Sequence, residues 1–309
     1  MRIRPMRPED VDAAERLTAL AYGAERTDPG RRRWCDRIRH LLTTDPGGCW
    51  VADTDGTGPA DAAGQGTPGG AGSGTADAAG QGTPGAAGSV VGVAVALRRD
   101  LLWVLSAYAV HPDHQRRGIG AALLDAAVGY GAGCLRGLLT SRPDPQALRR
   151  YRRAGFTLHP TMRLSGVVDR STLPAVDGVR GGTAADLDLV DSVDRRVRGA
   201  THRPDHAFVL ASSRLLVCDL LTGSGYVFLT DRGVERLAAT NRAVAQRLLW
   251  AALAATAPGS AVDVRNLTSD QEWAVDVGLA AGLRLDHDAY LALRHLRPPA
   301  PYVPSTAFG

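Results

Sequence analysis

The stretch that decides the fold reads Val110-His111-Pro112-Asp113-His114-Gln115-Arg116-Arg117-Gly118-Ile119-Gly120-Ala121-Ala122-Leu123-Leu124. An apolar run at 101–110 precedes it, and an Ala/Leu-rich helical pattern at 121–130 follows it. A strand, a glycine-bearing turn and a helix in this order favour phosphate binding, because the first N–H groups of a helix lack intrahelical partners and lie at the positive end of its dipole. Gly118 and Gly120 let the backbone approach an anion closely.

The spacing Gln115-x-x-Gly118-x-Gly120 differs from the phosphate loop that ends in Gly-Lys-Ser/Thr and from the dinucleotide-binding Gly-x-Gly-x-x-Gly. It resembles the acetyl-CoA signature Gln/Arg-x-x-Gly-x-Gly/Ala of the GNAT superfamily of N-acetyltransferases. The resemblance implies a direct transfer of an acetyl group from acetyl-CoA to an amine. It also implies that the pyrophosphate of acetyl-CoA is held by Gln115 and by the main chain of Arg116, Arg117, Gly118, Ile119, Gly120 and Ala121.

The composition limits the other classes of function. A length of 309 residues predicts about two domains, and 44% apolar residues are ordinary for a globular protein. No apolar run approaches the roughly 18 residues of a membrane span, and no signal peptide is recognisable, so we expect a cytoplasmic protein that binds no membrane. The four cysteines are scattered, which predicts neither disulfides nor a metal site. All 36 basic residues are arginine, which we read as the codon bias of a GC-rich bacterium.

The amino half, residues 1–165, predicts the order β-α-α-β-β-β-α-β-α-β, which resembles the GNAT fold. Within it, residues 60–69 recur unchanged at 76–85, and we expect the Gly/Ala-rich segment 54–89 to be a disordered insertion. By the resemblance, strands at 102–110 and 135–140 diverge at their ends and form a slot for the pantetheine arm. The main chain of Tyr108, Ala109 and Val110 then borders the acetyl group, with the Val110 N–H as the donor to its carbonyl oxygen.

The run Tyr151-Arg152-Arg153-Ala154-Gly155-Phe156 resembles a second family motif, Tyr-x-x-x-Gly-Phe. The resemblance implies that Tyr151 is the general acid that protonates the departing thiolate. Many relatives carry a CoA-contacting Asn seven residues before this tyrosine, where this chain has Asp144, which equally suits a helix N-cap. The general base stays unknown: Asp100, Glu25, His111 or a water relay are the alternatives.

Residues 166–175 are predicted to be a linker, and residues 176–297 predict a similar order of elements. We therefore expect an α/β fold with a mixed sheet, built from two GNAT-like domains in tandem, each a largely antiparallel twisted sheet flanked by helices. The turn at 237–242 has no glycine, so we expect the carboxyl half to be degenerate and non-catalytic, at most a wall of the substrate cleft. The Pro-rich tail, 298–309, is expected to lie extended along a surface.

The acceptor is not encoded by any motif. A small amine, an aminoglycoside-like metabolite and a protein N-terminus all stay open, and the chain is expected to be a monomer or a homodimer. Few aromatics accompany the arginines, which disfavours nucleic acid as a partner. His202 and His206 are spaced as metal ligands on a helix, but Pro204 lies between them, so we expect a loop without metal. The alternative function is an acyl-CoA-binding sensor without catalysis.

Overall fold

The computed structural model describes residues 1–54 and 89–309, so the repeats predicted to be disordered lie outside the described residues. The described chain forms one mixed sheet with helices packed on it. The helices are α1 (Val11–Ala21), α2 (Asp28–Thr44), α3 (Ile119–Tyr130), α4 (Pro145–Arg153), α5 (Leu187–Val197), α6 (His206–Ser212), α7 (Arg242–Ala254) and α8 (Glu272–Ala280). The strands are β1 (Arg2–Pro5), β2 (Cys49–Asp53), β3 (Val90–Arg99), β4 (Leu102–Val110), β5 (Arg136–Ser141), β6 (Thr157–Val167), β7 (Val179–Gly181), β8 (Arg214–Leu220), β9 (Gly223–Thr230), β10 (Gly233–Ala239), β11 (Ala261–Leu267), β12 (Arg284–Arg294) and β13 (Tyr302–Val303).

This architecture agrees with the predicted mixed α/β fold. Strands β1 to β4 form an antiparallel meander, as predicted, and β5 returns parallel to β4 after the crossover helix α3. Helix α1 packs on this meander through Val11, Ala14 and Leu17, which recur at helical spacing and are buried. Among the described residues, no helix has the length and apolarity needed to cross a bilayer.

The last strands of the two halves are exchanged, which the sequence did not predict. The spatial order in the sheet is β1-β2-β3-β4-β5-β12-β6-β11-β10-β9-β8-β7. Strand β12 of the carboxyl half therefore lies between β5 and β6, and β6 of the amino half lies between β12 and β11. Each half thus contributes its last strand to the part of the sheet that the other half forms. The bounds of two separate domains stay a sequence-based prediction.

A buried core and a buried ion cluster also join the halves. One apolar cluster contains Ile38 of α2 together with Val209 of α6 and Phe308 of the tail. Beside it, the guanidinium of Arg99 contacts the carboxylates of Asp45 at 2.8 Å and Asp205 at 2.6 Å. Because removing one partner leaves the others buried and unpaired, this cluster ties β3 tightly to the carboxyl half.

The tail departs from the expectation of an extended surface segment. Residues Tyr302 and Val303 form β13, which pairs antiparallel with β10, and Phe308 is 3% exposed. The prolines of the tail do prevent a helix, but the apolar side chains between them are drawn into the core, where their burial is favourable.

Two further elements differ from the sequence-based prediction. The segment of His202 and His206 forms a 3-10 turn, which accommodates Pro204, followed by helix α6 rather than a loop. Strand β12 begins at Arg284, although the apolar run at 290–296 by itself favours a start at 290, because residues 284–287 also pair with β6.

Candidate active site

The site begins where β4 and β5 separate. The two strands pair in parallel only from Leu102 to Leu105, and Leu105 lies opposite Leu139. On the other side of β4, a register shift between Val95 and Ala96 of β3 leaves Ser106 without a partner residue. Beyond this bulge, the free edge of β4 borders an open slot, in the place that the family resemblance implied.

The free edge of β4 presents main-chain groups to this slot. The N–H of His111 donates to the Val91 carbonyl at 2.9 Å, so residues 109 and 111 make the ladder bonds to β3. By the alternation of an antiparallel ladder, the N–H groups of Tyr108 and Val110 point away from β3 and toward the slot. The Val110 N–H therefore has the orientation that a carbonyl-binding donor needs.

A cavity of about 1040 Å³ extends from this slot to the exterior. Eight of the predicted site residues line it: Tyr108, Ala109, Val110, Gln115, Arg116, Gly120, Asp144 and Tyr151. Four do not: Arg117, Gly118 and Ala121 are exposed on the turn, and the Ile119 side chain is 1% exposed in the core. The last four can contribute only through main-chain groups or from the rim of the cavity.

Helix α3 begins without a side-chain cap. Its N-cap residue, Gly118, has φ = 84°, and Arg116 before it has φ = 63°, so the turn runs through the left-handed region. The N–H groups of residues 116–121 donate to no acceptor among the described residues. A Cβ on Gly118 would meet nothing within 4 Å, which leaves the approach to these N–H groups open. The turn therefore fits the pyrophosphate of acetyl-CoA.

Gly120 leaves room for two polar side-chain groups beside the start of α3. A Cβ at this position would lie 2.6 Å from both the Tyr108 hydroxyl and Nη1 of Arg150. The Tyr108 hydroxyl donates to the Gly120 carbonyl at 2.6 Å, and Arg150 Nη1 donates to that hydroxyl at 3.2 Å. These bonds fix the distance between the free edge of β4 and the start of α3.

Tyr151 lies on α4 and lines the cavity while being only 4% exposed. Its ring centre is 6.2 Å from that of Tyr108 and 6.4 Å from that of Phe156. Burial raises the pKa of the Tyr151 hydroxyl well above its ordinary value, so the phenol keeps its proton. Asp144 caps α4 by accepting from the N–H groups of Gln146 at 2.7 Å and Ala147 at 3.2 Å, which sets the position of the tyrosine.

Sequence reasoning missed Tyr22, at the end of α1. Its hydroxyl donates to the Tyr108 carbonyl at 2.7 Å and accepts from the Tyr108 N–H at 3.4 Å. It therefore reaches the main chain of the free edge of β4 from the side opposite α3. No motif marks this tyrosine, and only the packing of α1 beside β4 brings it to the site.

Strand β11, the exchanged strand β12 and the tail complete the cavity. Arg265, Asn266, His287, Asp288 and Thr306 line it, all from beyond residue 260. Asp288 is held by Arg265 at 2.5 Å and by the Asn266 N–H at 3.2 Å. A wall from the carboxyl half is thus present, but its residues are more than 100 positions from the motifs and follow no recognisable pattern.

No carboxylate is freely available in the described part of the cavity lining. Within the described ranges, the lining carboxylates are Asp144, which caps α4, and Asp288, which is ion-paired, while His287 supplies an imidazole. The earlier candidates Asp100, Glu25 and His111 do not line the cavity. Residues 1–54 and 89–309 contain no group of His, Cys, Asp and Glu arranged to hold a metal ion.

The carboxyl half has a comparable slot, but the chain itself fills it. Strands β10 and β11 pair in parallel only at Gly233 and Asp263, as β4 and β5 do at their starts. The tail strand β13 pairs with β10 at Leu237 and Ala238, in the position where the strands separate. At the start of α7, the Asn241 side chain accepts from the Val244 N–H at 2.9 Å, so this helix is capped where α3 is open.

Comparison with known proteins agrees with this geometry. The acetyltransferase (GNAT) domain family matches residues 78–158. A protein of Pyrococcus horikoshii assigned as an acetyltransferase is 15% identical, with a TM-score of 0.72 over 100% of this chain and 95% of its own. GCN5-related N-acetyltransferases of Sphaerobacter thermophilus (14% identity, TM-score 0.57, 98% of both chains) and Kribbella flavida (15% identity, TM-score 0.55, 94% of this chain and 70% of its own) share the fold. No protein of curated function matches the sequence. Residues 78–158 therefore match the GNAT acetyltransferase domain, and the chain shares the fold of these acetyltransferase structures along its whole length.

Proposed function

We propose that the protein transfers the acetyl group of acetyl-CoA directly to an amine, and that the amino half alone binds the donor. The observation that carries this proposal is the open slot between β4 and β5, with the uncapped start of α3 at its rim and the protonated Tyr151 in its wall. On this proposal, the two halves are GNAT-like units in tandem, and the carboxyl half binds no donor but supplies one wall of the cavity.

The turn at 116–121 holds the pyrophosphate through its unpartnered N–H groups and Arg116. Acetyl-CoA supplies an acyl group that is activated as a thioester. With the pyrophosphate in place, the pantetheine arm follows the free edge of β4, and the Val110 N–H donates to the thioester carbonyl oxygen. A donor aimed at an oxygen that gains negative charge stabilises the transition state more than the ground state.

Tyr151 donates a proton at its hydroxyl oxygen to the departing sulfur. Its raised pKa keeps the phenol protonated throughout the neutral range, which is the state that a donor requires. The acceptor amine has to lose a proton, and we propose that it leaves through water or the His287 imidazole, since the carboxylates of the lining are already engaged.

The experiment is a calorimetric titration with acetyl-CoA, followed by an assay of thiol release with a panel of amines. For Tyr151→Phe we expect unchanged acetyl-CoA affinity and a kcat lowered by about 10²-fold or more, the contribution usual for a positioned acid. Tyr130→Phe is the matched control, because the Tyr130 hydroxyl bonds Asp45 at 3.0 Å outside the cavity lining.

The outcomes separate the candidate functions. If the wild type does not bind acetyl-CoA, both the transferase hypothesis and the sensor hypothesis fail. If it binds acetyl-CoA but acetylates no amine, the acyl-CoA sensor is favoured. The structural argument for a sensor is that the described part of the cavity lining has no unengaged carboxylate.

A further inference from the structure

The lining of the cavity is strongly cationic. We define the acceptor wall as the arginines of the lining that do not belong to the donor end: Arg26, Arg37, Arg142, Arg163 and Arg265. With Arg116 and Arg150 at the donor end, seven arginines line the cavity, against the two carboxylates of Asp144 and Asp288. This excess of positive charge surrounds the place where an acceptor has to enter.

Three of these arginines have a carboxylate nearby. Arg26 contacts Glu15 at 2.9 Å, Arg265 contacts Asp288 at 2.5 Å, and Arg163 lies 3.9 Å from Asp263. Arg37 and Arg142 have no carboxylate within 4 Å among the described residues. Arg142 donates to the Tyr22 carbonyl instead, and its guanidinium lies 6.0 Å from the centre of the Tyr22 ring.

Arg37 is the least satisfied of the group. It makes no hydrogen bond within the described part of the chain, its Nε is shielded from solvent, and its guanidinium lies 5.9 Å from the centre of the Trp34 ring. Glu235 acts on it only at longer range, and that carboxylate accepts from the Ser305 hydroxyl at 2.7 Å. Burial accordingly lowers the pKa of Arg37 to about 10, the effect of a half-buried cation with no carboxylate within 4 Å among the described residues.

The unpaired charges of Arg37 and Arg142 lie close to the reacting end of the slot, together with the ion-paired Arg26. The charges of Arg37, Arg26 and Arg142 all act on the Tyr22 hydroxyl, which itself bonds the main chain of Tyr108 at 2.7 Å. A guanidinium binds carboxylate and phosphate through paired N–H donors, and this interaction gains strength in a partly buried site.

From this arrangement we infer that the acceptor is a small amine that also carries an oxyanion group, a carboxylate or a phosphate, which binds Arg37 and Arg142. The same charges disfavour polycationic acceptors, which include the aminoglycoside-like metabolites that the sequence leaves open. The inference rests on the proposed function, because it names the class of the acceptor for that site.

The test uses simple ions as probes of the acceptor wall. Inorganic phosphate, acetate and the dication ethylenediamine are titrated by calorimetry into the full chain saturated with coenzyme A, which blocks the phosphate-binding turn. We expect phosphate or acetate to bind and ethylenediamine not to bind. The anion that binds more tightly identifies the group as phosphate or carboxylate.

Arg37→Gln and, independently, Arg142→Gln should weaken anion binding about tenfold or more, as expected for the loss of a charged hydrogen-bonding partner. Arg32→Gln is the matched control on the same helix, because Arg32 is exposed and lies outside the cavity lining. The inference is overturned if neither anion binds, if ethylenediamine binds more tightly, or if the control loses as much affinity as Arg37→Gln. If coenzyme A itself fails to bind, the proposed function fails and the inference fails with it, whereas binding of coenzyme A without binding of either anion overturns the inference alone.

Discussion

Two glycines of this chain have nearly the same φ but differ in what lies around them, which allows a sharp test of the proposed phosphate-binding turn. Gly118 has φ = 84° and Gly133 has φ = 86°, and a Cβ at either position would meet nothing within 4 Å. Both residues are exposed, but only Gly118 adjoins the uncapped N-terminus of α3. Gly118→Trp and Gly133→Trp should therefore cost similar stability and have different effects on binding.

Both variants lose stability because a non-glycine residue is strained in the left-handed region. This strain is about 1 kcal/mol at each position, which corresponds to a fall in Tm of about 2 °C for a chain of this size. The binding term is larger, because an indole at Gly118 fills the open space over the turn. If two charge-assisted hydrogen bonds at about 1.5 kcal/mol each are lost, acetyl-CoA binding weakens by about 3 kcal/mol, or about a hundredfold in Kd.

Calorimetric titration of acetyl-CoA into the wild type and both variants measures this difference, and thermal unfolding provides the stability comparison. We expect near-equal Tm values for the two variants and a loss of binding in Gly118→Trp alone. Equal Kd values for all three proteins would refute the assignment of the turn as the pyrophosphate site. An equal loss in Gly133→Trp would show that binding responds to stability rather than to the turn.

The remaining predictions concern the joining of the halves and the pH dependence of a cap. Phe308→Ala should lower the free energy of unfolding by about 3 kcal/mol, because Phe308 packs against Phe208 and His40, and urea unfolding should remain one cooperative transition. Leu221→Ala is the control and should change this free energy little, because the Leu221 side chain is fully exposed. Arg99→Met should cost about 3 kcal/mol, because Asp45 and Asp205 are left buried without their cation; a urea midpoint equal to that of the wild type would contradict this. Asp186 accepts from the Thr183 N–H at 2.8 Å and contacts Arg180, whose hydrogen bond lowers the pKa of Asp186 to about 2. Because the pKa of Asp186 is lower in the folded state, the stability that its carboxylate contributes is present above about pH 4 and is lost as the pH falls toward 2. In urea melts, the difference in free energy of unfolding between the wild type and Asp186→Asn should therefore shrink between pH 7 and pH 3.

Much of the donor side could be predicted from local sequence. Gln115, Gly118 and Gly120 follow one another in a fixed spacing between an apolar strand and a helix, and the conformation of such a turn depends on neighbouring residues alone. Tyr151 and Asp144 are likewise fixed by a helix that begins with an N-cap and a proline. The strand, turn and helix elements around these residues form where the patterns predicted them, because burial of alternating or helically spaced apolar side chains decides local structure.

The acceptor wall and the joining of the halves were decided by tertiary structure. The exchange of β6 and β12 depends on hydrogen bonds between strands that are over 100 residues apart. The apolar pattern of each strand is satisfied equally by the exchanged pairing and by pairing within its own half, so the pattern does not distinguish them. The tail, read as a surface segment from its prolines, enters the slot of the carboxyl half because that slot offers unpaired strand edges and apolar surface. Arg37, Arg142 and Tyr22 come together only through this packing. The sequence by itself therefore determined the turn proposed to bind the donor, and the fold decided which side chains face the proposed acceptor.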